Sequence, residues 1–99
     1  DALVYPHQKR LVVPVGESQT ERNGALASAA GFPAITLPGG FSRPTGDAPV
    51  GVPIGIEFMG RPWSERDLIS IAYAFEQRTL FRRPPPFVPP LHRRGPFEL

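Results

Sequence analysis

The sequence of 99 residues holds no cysteine, one methionine, one tryptophan and a single lysine, Lys9. Without cysteine there is no disulfide and no thiolate metal site, and the redox compartment stays open. No apolar run approaches the ~20 residues that a membrane-spanning helix requires, so no membrane span is expected. The first residues, DALVYPHQKR, lack the apolar stretch of a secretory leader and do not begin with methionine. The chain is therefore expected to be cut from something longer. A net charge of +2 is too small to argue for a nucleic-acid partner.

Proline and glycine are what the chain has in quantity, 14 and 10 residues. Together they approach the roughly 25–30% at which low-complexity character begins. The excess is local, however, and a hydrophobic share of 40% argues against wholesale disorder. Arginines gather late, at Arg78, Arg82, Arg83, Arg93 and Arg94. Such a cluster reads as a solvated tail, although it also suits acidic partners. This divides the chain into a folded part, residues 1–83, and a proline- and arginine-rich tail, residues 84–99.

Local patterns predict an α/β order of strand, helix, strand, strand, helix. ALVY (2–5) reads as a short strand stopped by Pro6. Residues 7–21 read as a loop, with a brief extended piece at 11–13. NGALASAAG (23–31) reads as a helix capped by Asn23 and stopped by Gly31. A strand follows over 34–37, fenced by Gly31, Pro33, Pro38, Gly39 and Gly40. SRPTGDAP (42–49) is turn chemistry. In PIGIEFMG (53–60), Ile54, Ile56 and Phe58 share one face, and Gly55, Glu57 and Met59 the other. From Ser64, with Asp67 three residues on, a capping arrangement opens a helix with a stripe of Leu68, Ile71, Ala72 and Phe75. Ile69 and Tyr73 widen that stripe to a face that wants burying, and Pro84 forbids continuation. Small residues such as Ala34 and Gly55, opposite the aliphatic faces, suit strands covered on both sides. Two helices cannot provide that cover, so the segment is expected to belong to a larger sheet.

No catalytic constellation is visible in the residues themselves. Lys9 sits beside Arg10 in the loop and reads as a surface residue. Ser18, Ser28, Ser42, Ser64 and Ser70 include none at a strained strand-to-helix elbow. His7 and His92 lie at opposite ends of the chain with no carboxylate or second ligand at metal spacing, and read as structural or solvated.

Taken together, several stretches resemble the C-terminal end of the amidase signature family. They are DALVYP (1–6), a strand with Gly31, Pro33, Pro38 and Gly40, and a strand with Gly51, Pro53 and Gly55. A turn at Gly60, an acidic cap at Glu65 and a helix ending in Phe75-Glu76 complete the pattern. The resemblance implies that the segment belongs to a large mixed sheet with helices on both faces. It also implies amide C–N hydrolysis through an acyl-enzyme, carried by a serine nucleophile, a second serine in a cis peptide bond and a lysine. Neither metal nor organic cofactor is implied. The glycine- and serine-rich run that carries those serines does not occur in this sequence, so the chain alone is expected to be inactive. Its implied partners are the remainder of the parent chain and, in the parent, a small-molecule amide; no nucleic acid is expected. Self-association through exposed strand edges is a further expectation.

The resemblance also nominates substrate-binding residues. Glu21, ten residues before Gly31, corresponds to an acid that helps hold the substrate's amino group in some members. Read without the resemblance, it is an acid leading into a helix. Gly51, Val52 and Ile54 resemble the wall of the acyl pocket, although packing alone explains Val52 and Ile54 equally. Two rival readings remain: a free-standing structural fragment, and an interaction protein. The second rests on Arg83, Pro86 and Pro89, which satisfy an R-x-x-P-x-x-P pattern suited to aromatic grooves.

Overall fold

The structure, a computed structural model, describes residues 1–89. It contains β1 (Leu3–Pro6), α1 (Ala25–Ala30), β2 (Ala34–Phe41), β3 (Pro53–Met59) and α2 (Glu65–Thr79), in the expected order. His92, Arg93, Arg94 and the rest of the expected tail beyond 89 lie outside the described residues. The three strands form one antiparallel sheet in the order β1-β3-β2, with the alternating strand β3 in the middle. This is a small α/β unit.

The pairing register decides which side chains meet. Tyr5 on β1 and Thr36 on β2 both lie opposite Glu57 on β3, while Val4 and Ile35 flank Phe58. Directly opposed residues project to the same side of a sheet, so the two rows occupy opposite faces. Helix α2 covers the Phe58 side, where Phe58 and Phe75 meet edge to face with centroids 5.6 Å apart. Its Leu68 and Ala72 are buried, as the apolar stripe requires. Ile69 and Tyr73, on the widened part of that stripe, remain 61% and 64% exposed, so nothing among the described residues covers them.

Three local expectations change. The second strand does not stop at Leu37 but runs through Pro38, Gly39 and Gly40 to Phe41. It does so because the register shifts between Pro38 and Gly40, a bulge that leaves Gly39 unpaired. As an edge strand, β2 also tolerates a residue without an N–H. Asn23 does not cap α1. Gly24 occupies that position without a side-chain bond, and Asn23 Nδ2 donates instead to the Pro6 carbonyl at 2.8 Å. Ser64 is the N-cap of α2 by position, yet its hydroxyl donates to the Arg61 carbonyl rather than accepting from the helix. Residues 11–13 stay within the expected loop. There the Val13 N–H donates to Gln19 Oε1 across the loop.

Gly31 closes α1 as expected, with φ 73° and its N–H bonded to the Ala27 carbonyl. Gly51 begins the return into β3 at φ 82°, where a Cβ would lie 2.5 Å from the Ser42 carbonyl oxygen. Only glycine meets both conditions.

Candidate functional site

Glu57 is the buried charged residue of the described fold, 4% exposed in the centre of the sheet. A carboxylate is costly to bury unless hydrogen bonds replace its water. Here Tyr5 Oη donates to Oε1 at 2.6 Å, and His7 Nδ1 lies 2.6 Å from Oε2. Thr36 Oγ1 adds a longer bond to Oε2 at 3.4 Å. An ionised carboxylate only accepts, so the proton of the His7 contact sits on Nδ1. Burial pushes the Glu57 carboxyl up, but the bonds from Tyr5 and His7, the nearby His7 charge and the Thr36 bond together outweigh it. The net result is a carboxyl held below its ordinary range. The Tyr5 phenol is pushed up to about 12 by burial, then by its bond to Glu57 and that group's negative charge.

His7 follows directly after β1, and its backbone joins two layers. Its N–H donates to the Gly55 carbonyl, and its carbonyl accepts from the Asn23 N–H at 2.8 Å. The chain from 6 to 9 then runs beside 21–23, through a Gln8–Arg22 bridge and a 3.0 Å bond from the Lys9 N–H to the Glu21 carbonyl. Gly24, at the start of α1, abuts the His7 ring so closely that a Cβ there would fall 2.9 Å from Cε1.

Beside this cluster opens a cleft of about 560 Å³, with residues 7–12 on one side and Thr36, Pro53, Ile54 and Gly55 on the other. Ile54, one nominated residue, therefore lines it. Gly51 is buried and lines a different hollow of about 420 Å³, with Phe41, Val50 and residues 83–87. Val52 is half-buried and pairs with Ser42, donating its N–H to Oγ at 2.9 Å. Glu21 is exposed at the left-handed φ of 57°, rare for a side chain of its size. The four nominated residues thus share no single cavity. Lys9 and Arg10 stand exposed at the cleft, whose lining includes none of the five serines.

Sequence reasoning missed the Tyr5–Glu57–His7 cluster. It found no carboxylate for His7, because the partner lies 50 residues away. A glutamate in the middle of an apolar alternating strand was the available signal. Arg83, the arginine of the R-x-x-P-x-x-P pattern, is occupied by its own fold: it donates to the Val50 carbonyl at 3.0 Å and lies 3.6 Å over the Phe41 ring. Among the described residues no group of three His, Asp or Glu could hold a metal ion, and no helix is long and apolar enough to cross a membrane.

Known sequences resemble the chain over most of this unit. It is 44% identical over 88 residues to a probable amidase of Arabidopsis thaliana, a match covering 89% of the chain and 15% of that protein. It is 45% identical over 56 residues to a glutamyl-tRNA(Gln) amidotransferase subunit from Lachnoclostridium phytofermentans, covering 56% of the chain and 11% of that protein. The corresponding protein of Moorella thermoacetica is 46% identical over 54 residues, or 54% of the chain and 10% of its own length. No family model matches the chain. No solved structure matches it. The chain is amidase signature family sequence, spanning roughly a tenth to a seventh of the relatives it matches.

Proposed function

We propose that this chain is the C-terminal portion of an amidase-signature hydrolase. It supplies scaffold strands, a covering helix and part of the acyl-pocket wall. The observation that carries this reading is the 44% identity to a probable amidase across 89% of the chain. Both glycine–proline strands noted in the sequence correspond to β2 and β3, the hairpin at the centre of the unit.

In the parent, the serine pair and lysine come from the remainder of the chain. A serine oxygen bonds to the acyl carbon as the C–N bond breaks and the amine leaves with a proton; water then releases the acid. No metal or organic cofactor enters these steps. Within this chain Glu21 takes the substrate's amino group, and Gly51, Val52 and Ile54 contribute to the acyl wall. Residues 1–83 dock into the parent's larger mixed sheet, and residues 84–99 form its tail. The uncovered Ile69 and Tyr73 and the exposed Leu3 and Val4 on β1 support a unit with further neighbours.

The test is turnover of benzamide, propionamide and glutamine by the purified 99-residue chain, which should show none. Turnover that disappears when Lys9 or one of the five serines is replaced would overturn the proposal.

A further inference from the structure

We infer that Glu57 and His7 form a clasp that sets the position of the Glu21 segment and of the cleft wall at residues 8–12. The clasp is therefore a positioning device for substrate binding. Its role toward an amide rests on the proposed function, but its mechanics do not.

The mechanics follow from connectivity. Residues 8–12 make one wall of the cleft, yet they carry no regular secondary structure and lie beyond the end of β1. Residues 21–23 precede α1 and belong to no strand of the sheet. The two segments hold each other through the Lys9–Glu21 and His7–Asn23 backbone bonds and the Gln8–Arg22 bridge. They are tied to the sheet at their base, by the Asn23 side chain on the Pro6 carbonyl and the His7 N–H on Gly55. The side-chain anchor into the sheet interior is His7 on Glu57. Glu57 itself is fixed from both neighbouring strands, by Tyr5 and Thr36. The imidazole thereby adds to those ties at the base a link from the sheet interior to the cleft wall and, by one further backbone bond, to Glu21. Releasing the His7 ring leaves the paired segments held to the sheet by the Asn23–Pro6 and His7–Gly55 bonds at their base, about which they can hinge while the β1-β3-β2 ladder persists.

The clasp is charge-dependent. Glu57 faces Tyr5 from β1 and His7 beyond it, while β2 offers only the neutral Thr36. Helix α1 has no titratable side chain, and the charged side chains of the paired segments, Lys9, Arg10, Glu21 and Arg22, are exposed. Protonating Glu57 removes the charge that His7 Nδ1–H is bound to, so the segment loosens at the acid end.

Amide hydrogen exchange on the 99-residue chain reads this directly. His7→Phe keeps a ring but loses Nδ1. The protection of the Lys9 and Asn23 amides should fall by about tenfold or more, while the Phe58 amide in β3 keeps its protection. In the wild type the Lys9 protection should fall as pH drops through the Glu57 titration, and in Glu57→Gln that pH dependence should vanish. Unchanged protection at Lys9 and Asn23 in His7→Phe, or a loss shared equally with Phe58, would overturn the clasp. In the complete parent, His7→Phe should raise KM for amino-acid amides with kcat retained. An unchanged KM alongside the local loss of protection would leave the clasp standing and overturn the substrate role of Glu21.

Discussion

Truncating Glu57 to alanine should destabilise the fold by roughly 2–4 kcal/mol. Two bonds to an ionised carboxylate disappear, those from Tyr5 and His7, both at 2.6 Å. A hydrogen bond to a charged group contributes about 1.5–3 kcal/mol. The Tyr5 bond takes most of that range because Glu57 is buried. The His7 bond is discounted by about half, because its side chain is 37% exposed and water can take over Nδ1. Removing the carboxylate also removes its own desolvation cost, which keeps the sum toward the middle of the range. The loss is large beside the roughly 5–15 kcal/mol that stabilises a whole domain. Glu57→Gln separates shape from charge. Its amide oxygen still accepts from Tyr5 and its NH₂ can donate to a neutral imidazole, so the cost should fall to about 1 kcal/mol. Urea unfolding at low micromolar concentration, followed by far-UV circular dichroism, gives both values. An alanine variant within about 0.5 kcal/mol of wild type would refute the reasoning, because it would mean that the carboxylate's bonds merely offset its burial.

Further outcomes follow from the same structure. Because the folded Glu57 carboxyl is held below its unfolded value, its contribution to stability should be complete above about pH 4.3 and lost as pH falls through the folded value; a pH series of unfolding midpoints, flattened in Glu57→Gln, checks this. Tyr5 has the opposite sign: its folded value of about 12 lies above the unfolded one, so its contribution is complete below about pH 10 and lost as pH rises through 12. Ultraviolet titration in a Tyr73→Phe background should place its tyrosinate near 12, and a transition near 10 would contradict the cluster. Gly51→Ala should cost about 1–3 kcal/mol, since φ is 82° and the Ser42 carbonyl oxygen blocks the new methyl group; equal melting of the variant would contradict that geometry. Light scattering should show the chain self-associating through its exposed β1 edge and the Ile69–Tyr73 face, and a monomer at tens of micromolar would show the unit to be self-sufficient.

Helix α2 was legible because its signals are local: Ser64 and Asp67 at the start, and a stripe that returns every three or four residues. The alternation in β3 likewise separated Phe58 from Glu57. What escaped depended on partners remote in sequence. β2 could pass Pro38 and the two glycines only because β3 receives them with a bulge, and no local pattern shows that. Residue type alone points to Asn23 and Ser64 as caps, yet nearby carbonyls of Pro6 and Arg61 compete for the same side chains. The Glu57 cluster needs the β1–β3 register, a pairing across more than fifty residues, before Tyr5 and His7 reach one carboxylate. Glu21 and the acyl-wall residues came from family likeness, and the separate hollows that hold Ile54 and Gly51 could not be read from their spacing.

The most direct measurement grafts this chain into a related amidase of measured activity, in place of the segment it matches, and assays amide hydrolysis by the folded chimera. Residues that serve as amidase scaffold and pocket wall should support turnover that depends on the host's serine and lysine, and that is weakened through KM by Glu21→Ala. A chimera that folds and binds amide but hydrolyses none, or one indifferent to Glu21 and Ile54 replacements, would contradict the proposed role.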